Sequence, residues 1–152
     1  MSIVAPGRMR LQYPSTSLAA PAYDFGSITL RASAALSNST SSTNGSSQSN
    51  YIGAQGLVLY SDITVAGTSA TGALTIRMQE YAELGDVWID STGAAFAATT
   101  AVGQQTLYLY PGIAETVNTE VSRAVPPIWR IQADASSSAG TFTFSVSARY
   151  LP

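Results

Sequence analysis

"TFTFSVSARYL", residues 141–151, alternates along its whole length. Phe142, Phe144, Val146, Ala148 and Tyr150 fall on one face, with Thr141, Thr143, Ser145, Ser147 and Arg149 on the other. That period of two is the signature of a strand with one buried and one wet side. "PPIWRIQADA", residues 126–135, repeats the pattern: Trp129, Ile131 and Ala133 oppose Ile128, Arg130 and Gln132. Its two prolines stand at the strand entrance, where a missing N–H is tolerated.

Working outward, other segments read the same way. "ITLRASAAL" puts Ile28, Leu30, Ala32, Ala34 and Leu36 together, and "LVLYSDITV" does so for Leu57, Leu59, Ile63 and Val65. "GALTIRMQEY" sets Leu74, Ile76 and Met78 against Thr75, Arg77 and Gln79. "DVWID" is a short run, and "TLYLYPG" opposes Leu107 and Leu109 to Tyr108 and Tyr110. Turn-forming tracts, "VAGTSATG", "DSTG", "AVGQ" and "SSSAG", lie between them. No stretch reads as a sustained helix; "GIAETVNTEVSRAV" leaves room for one short turn. Short strands at this spacing predict an all-β fold, a single antiparallel β-sandwich of jelly-roll or Ig-like kind, over residues 26–152.

Two segments differ in texture. Residues 1–25 carry Pro6, Pro14 and Pro21 and no sustained period, which favours extended chain over helix. Yet they are rich in apolar side chains, more than a solvated tail holds. They read either as a lead-in lying across its own domain or as an extended N-terminal arm docking on a neighbouring chain. We take the arm as the expectation, with Ile3, Val4, Arg8, Met9, Arg10, Leu11, Tyr13 and Leu18 as its partner-binding residues. At ~3.3 Å per residue, an arm of this length reaches about 80 Å. That is far beyond the ~15 Å radius of gyration of a domain this size. "SNSTSSTNGSSQSN", residues 37–50, has no apolar residue and predicts a flexible loop. Its two sequons, at Asn38 and Asn44, are of the kind that arises by chance in such a tract.

Composition narrows function mainly by exclusion. The 152 residues suffice for one domain with a core. Charged residues are 11% of the chain, against roughly 25% on average, and the net charge is −2. That argues against a nucleic-acid binder, which needs a basic footprint. Cysteine, histidine and lysine are all absent. Thiolate and Ser-His-Asp nucleophiles, His- or Cys-bound metal, and Schiff-base lysine chemistry go with them. No apolar run approaches the ~18 residues of a membrane span, and no secretory h-region is visible. The expectation is a non-enzyme with no cofactor, no catalytic residue and no metal site.

Three clusters remain. Glu80, Glu83, Asp86 and Asp90 in "EYAELGDVWID" could serve Ca²⁺ or glycoside chemistry, but their spacing matches no known loop and they read as a solubilising connection. Tyr60, Tyr81, Trp88, Tyr108, Tyr110 and Trp129 could form a sugar-stacking platform, though core filling is the expectation. Arg77, Arg130 and Arg149, each on a polar strand face, suit either edge protection or pairing between subunits.

The order "GALTIRMQEYAELGDVWID", "LYLYPGIAETVNTEVSRAVPPIWRIQADA" and "FTFSVSARYLP" resembles a family of small tailed-phage virion proteins. The likeness spans Gln55 to Pro152. Its most specific pieces are Tyr110-Pro111-Gly112, Pro126 with Trp129-Arg130, and Ser145-Val146. The chain departs from the family at "EYAELGDVWID", where relatives have a lysine- and glycine-containing hairpin. The resemblance implies a capsid decoration, or cement, protein: a β-sandwich on the outside of the head, partnered with the major capsid protein and often trimeric. It implies a place in the virion, after assembly in a bacterial host cytoplasm, and no catalytic residue. The other readings are a neck or tail component and a carbohydrate-binding or adhesin-like module.

Overall fold

The computed structural model describes the backbone of residues 27–36 and the whole of residues 42–50, 54–66, 72–136 and 141–152. Residues 1–25, with Ile3, Val4, Arg8, Met9, Arg10, Leu11, Tyr13 and Leu18, lie outside them. Ten strands follow in chain order: β1 (Ser27–Leu36), β2 (Ser42–Asn44), β3 (Gln48–Ser49), β4 (Gly56–Val65), β5 (Leu74–Ala82), β6 (Val87–Ala95), β7 (Gly103–Leu109), β8 (Glu120–Val121), β9 (Ile128–Ala135) and β10 (Phe142–Leu151). They form two sheets. One has the order β1-β10-β4-β7-β8; the other is β2-β9-β5-β6, with β3 also paired to β9. All pairs are antiparallel except β7 with β8, which is parallel. The fold is an all-β sandwich, as the alternation predicts.

The alternating faces meet between the sheets. β10 buries Phe142, Phe144, Val146, Ala148 and Tyr150, and β9 buries Trp129, Ile131, Ala133 and Ala135. Leu74, Ile76 and Met78 of β5 and Leu107 and Leu109 of β7 complete the pattern read from sequence. The Leu, Ile, Met, Phe and Val side chains among these each stabilise by roughly 1.5–3 kcal/mol on burial.

Several expectations are corrected. Val65 stands 48% exposed, because the register with β10 shifts between Ile63–Phe144 and Val65–Thr143, which sets Val65 opposite the outward-facing Thr143. Ser61 instead continues the inward row, and its hydroxyl is buried with no hydrogen-bond partner. "DSTG" is not a turn: Asp90–Gly93 sits inside β6. There the register with β5 jumps from Gln79–Asp90 to Arg77–Ala95. Gly93, at φ +75°, supplies the backbone freedom this bulge needs. The tract 37–50 is not wholly a flexible loop either. Residues 42–44 and 48–49 are strands on β9, joined by Gly45 N–H to Ile131 O and Asn50 N–H to Pro127 O, both 2.8 Å. Backbone pairing needs no apolar side chain, and hydrophobic patterning is blind to it.

The short turn allowed in "GIAETVNTEVSRAV" is not helical. Thr116 to Glu120 close a tight loop, with Asn118 left-handed at φ 60°, which leads into β8. Before it, Tyr110-Pro111-Gly112-Ile113 reverses the chain: Ile113 N–H donates to Tyr110 O at 3.2 Å, and Gly112 has φ +82°. Proline second and a positive-φ glycine third are what a type II turn asks for. The β5–β6 hairpin closes through a 3-10 turn, Glu83–Gly85, capped by left-handed Asp86.

Candidate functional site

The outer face of the second sheet carries a connected polar network. Gln79, only 7% exposed, faces Arg130 on one neighbour and Asp90 on the other. Its amide nitrogen donates to Asp90 Oδ1 and to Gln132 Oε1, both at 2.9 Å, and its oxygen accepts from Arg130 Nε at 2.9 Å. Arg77 donates through Nε to Gln132 at 3.1 Å and pairs with Asp90 at 3.3 Å and with Asp134. The Arg130 guanidinium lies 4.3 Å from the Trp88 ring centroid, a cation–π distance. Burial lowers its pKa, though a guanidinium stays charged at any ordinary pH. Trp88 in turn tilts against Tyr81 at 5.3 Å, and the Tyr81 hydroxyl bonds Asp86.

This arrangement accounts for two of the three clusters. The acidic residues disperse: Asp90 goes to Arg77, Asp86 to Tyr81, and Glu80 to Arg123 at 2.6 Å. Among the described residues no group of three or more acidic side chains could hold a metal ion. The arginines do not guard edges. Arg77, Arg130 and Arg149 lie on β5, β9 and β10, each paired on both sides. The first two are held inside the chain by the contacts above.

The aromatic cluster also divides. Of the six, only Trp129 is core. Trp88 and Tyr81 belong to the network just described. Tyr110 lies across Gly56, its hydroxyl 3.2 Å from Gln55 Oε1 and 3.3 Å from the Pro152 carbonyl oxygen, so it fastens the end of β10. Tyr60 and Tyr108, 41% and 38% exposed, stand on the outer face of the first sheet. Core filling fails for them because they occupy the outward positions of β4 and β7, whose inward positions hold leucine.

On that outer face the register writes three rows across β10, β4 and β7. They are Arg149–Val58–Tyr108, Ser147–Tyr60–Thr106 and Ser145–Asp62–Gln104. Val58 is buried although it points outward, flanked by the long side chains of Arg149 and Tyr108. Tyr60 has only small neighbours, Ser147 and Thr106, so its ring stands uncovered. Around it opens a depression of about 240 Å³ lined by Tyr60, Asp62, Gln104, Thr106, Ser145 and Ser147, among others. The sequence raises a sugar platform at the six aromatic residues only as the lesser alternative to core filling. That reading misses Asp62 and Gln104, which only the pairing of β4 with β7 brings together.

A second feature is apolar. Leu84 is fully exposed in the 3-10 turn, and Val87 and Ile89 are 48% and 44% exposed on β6, the edge of the second sheet. Among the described residues no helix is long and apolar enough to cross a membrane. The chain matches no protein-family model, no curated protein and no solved structure.

Proposed function

We propose that this chain is a virion structural protein of the capsid decoration type, binding the outside of a phage head through protein–protein contacts. Its partners are the major capsid protein and copies of itself, in a trimer. The observation that carries this reading is where the family-like segments lie. Tyr110-Pro111-Gly112, Trp129-Arg130 and the last strand are distant in sequence but meet at one end of the sandwich. There Tyr110 reaches the Pro152 carbonyl and Trp129 reaches Tyr150. The residues on which the resemblance rests thus occupy positions on which packing depends.

The surface is of a kind that suits a passive part. It carries few charges and a net charge of −2, which leaves little long-range field to attract polyanions. The exposed Leu84 of the turn and Val87 and Ile89 of β6, the edge strand among the described residues, are apolar side chains of the kind that mark a protein contact. Repeated on a symmetric lattice, modest contacts of this sort become avid.

Co-sedimentation of the full chain with heads lacking it, alongside light-scattering mass, tests the reading. Saturable binding to the heads and a trimer mass are expected. A chain that stays in the supernatant at every concentration removes the proposal, and immunogold labelling of virions distinguishes head from neck or tail.

A further inference from the structure

We propose that the depression around Tyr60 is a saccharide site, built for one neutral sugar ring stacked on Tyr60 and hydrogen-bonded by Asp62, Gln104 and the hydroxyls beside them. A sugar presents one apolar C–H face and a rim of hydroxyls. Tyr60 offers the matching surface, a ring 41% exposed between two small cross-strand neighbours. The adjoining row supplies the rim's partners. Asp62 only accepts, the Gln104 amide does both, and Ser145, Ser147 and Thr106 either donate or accept. Among the described residues no side-chain hydrogen bond or ion pair occupies Asp62, Tyr60 or Gln104, so their side-chain capacity faces outward.

Other ligand classes fit less well. Among the described residues an anion would meet Asp62 and no cation, since that lining holds no arginine. A divalent cation would find one carboxylate where six to eight oxygens are wanted. A lipid or drug-like ligand wants an enclosed apolar cleft of roughly 300–1,000 Å³. About 240 Å³, open and polar-lined, is the size of a small ring. The strands that form the site are the central ones of the first sheet, so the side chains are held at fixed spacing with little ordering to be done on binding.

This site stands apart from the capsid-binding reading, and either can fail alone. The test is a heteronuclear NMR titration of the full chain. Glucose, galactose and their N-acetylamino forms make one arm, and linear polysaccharides of the same sugars the other. Saturable shifts at Tyr60, Asp62 and Gln104 in the millimolar range are expected in at least one arm. The arm that responds tells a free sugar from a surface polymer. Tyr60→Ala should weaken binding about tenfold, the value of one aromatic stacking contact, while Tyr60→Phe keeps it within about threefold. Asp62→Asn should weaken it as well, with the thermal melt of each variant unchanged. Failure of every sugar to saturate overturns the proposal. So does undiminished binding by Tyr60→Ala, or a stronger response to inorganic phosphate than to any neutral sugar.

Discussion

The indole Nε1 of Trp129 donates to the Tyr150 hydroxyl at 3.2 Å, across the interior between the two sheets. Their rings meet edge-on, with centroids 6.2 Å apart at 79°. The same hydroxyl lies 3.5 Å from the Ser49 carbonyl oxygen of β3, so it can accept from one sheet's core strand and donate to the Ser/Asn tract. Alternation in sequence puts Trp129 on the apolar face of its strand and Phe142, Phe144 and Tyr150 on that of the last strand. The observed hydrogen bond runs to Tyr150, whose polar tip satisfies the only donor that Trp129 brings inside.

Trp129→Ala should therefore cost about 3–5 kcal/mol, through the void left and the loss of that donor. Domains of this size carry about 5–15 kcal/mol in all, so the variant should be close to unfolding at growth temperature. Denaturant titration measures it. A loss under about 1 kcal/mol would mean that the site collapses without a cavity, contrary to the packing described.

Stability should be flat between about pH 6 and 9, because no side chain type present has its ordinary pKa there. It should fall above about pH 10. Burial raises the Tyr150 pKa, with the Trp129 N–H pulling the other way, and the hydrogen bond to Asp86 is the main cause that raises Tyr81. Above its ordinary pKa an unfolded tyrosine gives up its proton while the folded one keeps it. The folded state then binds more protons, and stability declines as pH rises through this window. Melting curves from pH 6 to 11 should show a plateau followed by a slope. Tyr150→Phe should flatten part of that slope; an unchanged slope would assign it wholly elsewhere.

Gly56→Ala should destabilise by about 1–3 kcal/mol, in the manner of an overpacked core. A methyl group there would stand 2.8 Å from the Leu109 carbonyl oxygen and run into the Tyr110 ring. The ring could swing away, but the carbonyl belongs to the β4–β7 ladder and cannot. Tyr110→Leu in the same chain should accordingly recover little of the loss. Full recovery in the double variant would assign the conflict to the ring alone.

Removing residues 1–23 should separate assembly from folding. Every described strand begins at Ser27 or later, so the shortened chain should keep its β spectrum and cooperative melt. If the segment is an arm, binding to undecorated heads should drop sharply and any trimer should loosen. Full decoration by the shortened chain, or its failure to fold, would assign those residues to the domain instead.

What could be read from sequence was whatever depends on a strand's own period. β9 and β10 place every second side chain inside because nothing but alternation decides their faces. β2 and β3 were hidden because backbone hydrogen bonds to β9 hold them, and those leave no mark on side-chain pattern. The β6 bulge was hidden for the opposite reason: Asp90 to Gly93 has turn chemistry, used here to shift register within a strand. The Tyr60 depression could not be read at all. Its identity depends on which residues of β7 and β10 stand beside β4, and register is a property of pairs of strands. The acidic cluster looked local because its members are neighbours in sequence, yet its partners Arg77 and Arg123 come from other segments.

The polar network on the second sheet also has a mechanical meaning. Gln79 is bonded to β6 through Asp90 and to β9 through Gln132 and Arg130, while Arg77 spans the same three strands from the next row. Such diagonals act as cross-bracing. Sliding β9 along β5 by one residue would break several of them at once, besides turning Trp129 and Ile131 outward. A load applied along the strands is therefore spread over the panel rather than concentrated on one ladder. Under tension this sheet should resist shear as a unit, and cutting any single brace, such as Arg130→Ala, should leave the others to carry the force.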